Sequence, residues 1–185
     1  MRFHLIMVLS SLIFGACSNT VQPELRPNYQ SVDFSYNDAF STSFSIRFTQ
    51  SDTVFIRQHF ASFFSDTPQS NTSYYAFIRK TDRIMLDSFM THVNYVGFDS
   101  VYYQSYVDGI DYQLYVEKDG ISKTIKVHSD SVPEQLNDLA QWIVETKKTL
   151  PLFKIDTMLV FESARDFYPT KIEEPKLKLE ELKFE

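Results

Sequence analysis

The sequence predicts an α+β fold, an antiparallel sheet of about five to seven strands with two helices packed on one face. Three observations carry that prediction. Apolar and polar residues alternate over 40–48, the period of a half-buried strand. Apolar residues recur at i, i+3, i+4 and i+7 over 82–93, and a second helical stripe precedes Pro151. Between the two stripes, Asp119-Gly120 joins two strand-like runs, which reads as a hairpin.

In order, Phe40, Phe44, Ile46 and Phe48 face one way, and Ser41, Ser43, Ser45 and Arg47 the other. Gln50-Ser51-Asp52 is a turn, and 53–60 is a second strand by composition. Asp66, Pro68 and several serines mark 63–71 as a loop, with a third strand over 74–79. The first helix, 82–93, carries Leu86, Phe89, Met90 and Val93 on one face, with Thr81 or Asp82 as cap and Gly97 just beyond its end. The Tyr-rich run 101–106 is strand-like and turns at Asp108-Gly109.

The hairpin is the most specific element. A two-residue Asp-Gly loop favours a type I′ turn and pairs Lys118 with Ile121. That register sets Leu114 against Ile125, Tyr112 against Val127 and Val116 against Lys123 on the inner side. It sets Gln113 against Lys126 and Asp111 against His128 on the outer side. In the second helix Leu136, Leu139, Ala140, Ile143 and Val144 form the stripe. Ser131 and Glu134 have capping-box spacing, and Lys147 and Lys148 suit the negative end of the dipole. Residues 158–161 are read as a last strand. The expected domain covers 32–165, and 166–185 is a charged C-terminal tail.

Composition limits function. The chain has 185 residues, a formal charge of −6, 43% hydrophobic residues, one cysteine and four glycines. One cysteine forbids an internal disulfide, and the acidic balance argues against nucleic acid as a partner. Gly15, Gly97, Gly109 and Gly120 are too far apart for a phosphate cradle. Zinc motifs are absent from the sequence, and no cofactor or metal is expected.

The N-terminus supplies an address. Arg2 precedes an apolar run from Leu5 to Phe14, and Gly15 and Ala16 lead into Cys17. This is an export signal, too short to span a membrane. Phe14-Gly15-Ala16-Cys17 resembles the lipobox of bacterial lipoproteins, with Phe14 where that family usually has Leu. The resemblance implies that 1–16 is removed, that the Cys17 sulfur is lipidated, and that the protein is held at the membrane by its acyl chains. In Gram-negative lipoproteins Asp after the cysteine favours inner-membrane retention, so Ser18 implies the outer membrane. Residues 17–31, with Pro23 and Pro27, then read as anchor and flexible tether, spanning about 20 Å. The body is similar to a domain of unknown function found in small exported bacterial lipoproteins. The similarity lies in Phe44 to Phe48, Leu86 to Val93, Tyr112 to Val127 and Pro133 to Ile143. Such domains often open with a Cys-rich segment, which this chain lacks, so no redox or metal role carries over.

Candidate site residues lie on the predicted strands. Tyr102, Tyr103, Tyr106 and Tyr115 offer flat apolar faces with a polar edge, suited to a sugar ring or a protein partner. Tyrosine also favours strands for packing alone. Asp111 could orient His128 as a catalytic base requires, or the two could form a plain surface charge pair. The leading expectation is a non-catalytic binding or structural module of the cell envelope, with an envelope protein or a glycan as partner. A carbohydrate-binding module is the alternative, and an envelope hydrolase the third reading.

Overall fold

The computed structural model describes residues 29–38, 42–59, 72–105 and 109–167. Among the described residues eight strands form one sheet: β1 (Tyr29–Asn37), β2 (Ser43–Thr49), β3 (Thr53–His59), β4 (Thr72–Phe77), β5 (Val101–Tyr103), β6 (Asp111–Lys118), β7 (Ile121–His128) and β8 (Phe153–Ile155). Helix α1 spans Lys80–His92 and α2 spans Glu134–Thr149. The strand order is β5-β7-β6-β1-β2-β3-β4-β8, and every pairing is antiparallel except β5 with β7. The fold is therefore the expected α+β sandwich, with a strand count just above the expected range.

Alternation along the central strands sorts side chains between two faces. Val32 and Phe34 of β1, Phe44, Ile46 and Phe48 of β2, Val54 and Ile56 of β3, and Leu114 and Val116 of β6 are buried in a single apolar core. Leu86 and Met90 of α1 and Leu136, Leu139 and Ile143 of α2 belong to the same core, as the helical stripes required. Trp142 ties the layers together, its ring 5.7 Å from Phe48 and 5.8 Å from Phe89.

The hairpin adopts the expected register throughout, with Lys118 opposite Ile121 and Leu114 opposite Ile125. Asp119 and Gly120 both have positive φ, 54° and 75°, as a type I′ turn demands. A Cβ at Gly120 would meet nothing within 4 Å, so the need for glycine there is conformational and not steric.

Four expectations are corrected. The sheet gains β1 as its central strand, pairing with both β2 and β6, and its first residues lie in the stretch read as tether. The last strand is Phe153–Ile155 on β4, not 158–161, because 158–161 crosses the opposite face as an irregular strap. Helix α2 has Pro133 at its N-cap with no side-chain cap, so the Ser131/Glu134 box does not form. The Pro133 carbonyl accepts the Leu136 and Asn137 amides, and the Ser131 amide is held by Ser129 Oγ. Helix α1 starts two residues early, without a side-chain cap, and Asp82 pairs with Arg79 instead.

Truncating Leu114 or Ile143 to Ala should lower unfolding free energy by about 2–5 kcal/mol, since both are buried in the core. Gly120→Val should cost more than ~1 kcal/mol, and Gly120→Asn clearly less, because asparagine tolerates positive φ. Urea denaturation of the variants checks both, and equal losses for the two Gly120 variants would contradict the turn geometry.

Candidate functional site

Three features arise where the sheet meets solvent or the strap. The first is built by the hairpin and β5. Register brings His128 beside Asp111, with Nδ1 2.6 Å from Oδ1. Parallel β5 lays Tyr103 next to His128, their rings stacked at 5.4 Å and 27°. The carboxylate can fix the imidazole orientation, and the tyrosine covers one ring face. The pair is partly exposed to water, where such ion pairs contribute little.

The remaining tyrosines do not join this cluster. Tyr102 sits opposite Val127 on the helix side, half-buried, its hydroxyl accepting the Asp99 amide. Tyr112 is buried on that side too, and burial pushes its phenol pKa up. Tyr115 is half-buried on the opposite face, its phenol raised by desolvation and then by Glu117. Among the described tyrosines only Tyr103 is widely exposed, at 70%. Among the described residues no ring contact joins Tyr102, Tyr103 and Tyr115. Cys17 and Tyr106 lie outside the described residues, as do the signal segment and the tail beyond 167.

The second feature is the seat of the strap. Asp33 on β1 has no exposed surface and accepts Arg47 Nε at 2.7 Å, an Arg47 terminal nitrogen at 2.6 Å and the Glu162 amide at 2.8 Å. Hydrogen bonding to Asp33 in turn holds the Arg47 guanidinium above its ordinary pKa. Arg47 and Arg57 donate to the Val160 and Leu159 carbonyls, and Gln113 donates to the Arg165 carbonyl. Ser35 bridges Ser45 at 2.7 Å and Ser163 at 2.8 Å, and Ser45 reaches His59 Nε2 at 3.2 Å. A serine beside an imidazole resembles a nucleophile and its base. Ser45 is wholly buried, so here the contact belongs to the seat.

The third feature escaped the sequence. At the β4–β8 edge Tyr75 stacks on Phe153 at 5.3 Å and meets Phe77 edge-on at 5.7 Å. Phe77 is 54% exposed and Phe153 46%, and Met158 and Val160 are exposed on the strap. Tyr75 and Phe77 alternate around Ala76, a visible strand signal. Their meeting with Phe153 depends on a pairing across most of the domain.

Among the described residues no helix is long and apolar enough to cross a membrane, and no group of three His, Cys, Asp or Glu could hold a metal. Fold and surface define an eight-stranded α+β sandwich, helices on one face and a polar-seated strap on the other. No family model matches the chain, and neither a curated protein nor a solved structure matches it.

Arg47→Met should destabilise the domain by about 3–5 kcal/mol, because it leaves a buried carboxylate without its cation. Asp111→Asn should cost less than ~1 kcal/mol, as expected for a partly exposed pair. Denaturant midpoints for the two variants measure the contrast, and comparable losses would refute this ranking of the two pairs.

Proposed function

We propose that the protein is a lipid-anchored component of the bacterial cell envelope that binds another envelope protein and performs no catalysis. Anchoring rests on the Cys17 lipobox, and Ser18 favours the outer membrane. The observation that supports binding is the aromatic edge formed by Tyr75, Phe77 and Phe153. Two of its three rings stand about half in water. An exposed cluster of large apolar side chains with a polar surround is the signature of a protein–protein contact. The carbohydrate alternative requires a flat row of exposed tyrosines, and these rings are scattered over both faces of the sheet.

Two measurements test the proposal. Wild-type mature protein should carry the mass of its acyl chains and partition into detergent, and Cys17→Ser should do neither. A wild-type mature mass without acyl chains would overturn the anchor. Pull-down from native membranes, with the lipidated protein as bait, should recover a partner that the Phe77→Ser/Phe153→Ser variant loses. Equal recovery by both baits would remove the aromatic edge from the interface.

A further inference from the structure

Arg57 is out of place electrostatically. Arg47, Arg79, Arg83 and Arg165 each pair with a carboxylate, on Asp33, Asp82, Asp52 and Glu162 respectively. Arg57 has no carboxylate within ion-pair distance among the described residues. It lies on the strap side of β3, between Ser45 of β2 and Ser73 of β4, and is only partly exposed. A guanidinium is a fixed cation with five N–H donors in a planar fork. Arg57 uses that fork for a single contact, to the Leu159 carbonyl at 3.1 Å, and its buried Nε–H has no acceptor among the described residues.

The same guanidinium lines an open cavity of about 390 Å³. Ser73, Lys154, Ile155, Asp156, Thr157 and Met158 form the rest of the wall. Ser73 Oγ accepts the Leu159 amide, leaving its own proton to donate. Thr157 supplies another hydroxyl. Lys154 pairs with Tyr74 and so points to the helix face, which leaves Arg57 as the cation of the wall, and Asp156 is its single acid, outside ion-pair distance of Arg57. Ile155 and Met158 give an apolar side.

We propose that this cavity is a binding site for a small monocarboxylate carried on a short aliphatic body, its carboxylate held by the Arg57 fork and the Ser73 hydroxyl. A planar carboxylate matches the fork in a two-bond geometry. A single ligand charge matches the single Arg57 cation, whereas a phosphate dianion would meet Asp156 as a repelling neighbour. Ile155 and Met158 take the aliphatic body. The site borders the proposed partner contact on the same face of the sheet, but none of its lining residues is Tyr75, Phe77 or Phe153.

Titration of butyrate into the full chain, followed by NMR shifts of the protein, tests the site. Wild type should saturate with a Kd of about 1 mM, the scale of one charge-assisted anchor on a small ligand. Arg57→Gln should weaken binding about tenfold or more. Asp156→Asn should tighten it, by roughly threefold. Circular dichroism shows whether Arg57→Gln is folded, and Asp156→Asn provides the answer if it is not. The proposal is overturned if wild type shows no saturable binding, if a folded Arg57→Gln binds like wild type, if Asp156→Asn leaves the affinity unchanged, or if inorganic phosphate binds more tightly than butyrate.

Discussion

The Asp33 carboxylate holds the two sides of this molecule together. It sits at mid-sheet on the central strand with no exposed surface. Burying such a charge costs several kcal/mol unless partners replace its water. Arg47 supplies two hydrogen bonds from the neighbouring strand, and the Glu162 amide supplies one from the strap. Arg47 then reaches onward to the Val160 carbonyl and lies 5.1 Å from the centre of the Phe161 ring. A single ion pair thus fixes where the strap crosses, and the serine chain and Gln113 follow from that placement.

The two faces are held by different physics. On the helix side, burial of apolar surface is enough, and residue size and periodicity decide the packing. On the strap side, polar sheet residues hydrogen-bond to the backbone of a segment with no regular structure. Because the strap covers only the middle of the sheet, its flank meets β3, β4 and β8 in a border zone. Both the aromatic edge and the Arg57 cavity lie in that zone, so the surfaces with binding chemistry are a by-product of incomplete coverage.

Most of the helix side was legible in the sequence. Asp119-Gly120 dictated a turn, the turn dictated register, and Asp111 and His128 met as that register required. Stripes such as Leu86–Met90 and Leu136–Ile143 marked the buried helix faces because period and hydrophobicity agree there. Strand β1 was obscured because Asp33 and Ser35, its strap-side residues, look like loop residues until the strap buries them. The strap carries no period at all, since its backbone and not its side chains makes most of the contacts. Tyrosines that cluster in sequence were dispersed by strand alternation: Tyr102 and Tyr103 are adjacent and point to opposite faces. Phe77 and Phe153 showed the reverse, remote in sequence and joined only by the β4–β8 pairing.

The bonds from Asp33 to Glu162 and from Ser35 to Ser163 connect positions 129 and 128 residues apart. The first described strand therefore has its last partner about 130 residues later. Its pairing with β6 must also await residues 111–118. Contacts this remote slow folding, since loop-closure entropy is lost before they form. A chain truncated before Glu162 would keep every described strand of the sheet yet leave Asp33 with one fewer donor and its polar neighbours open to water. Seating of the strap, rather than formation of the sheet, is the event that seals this domain.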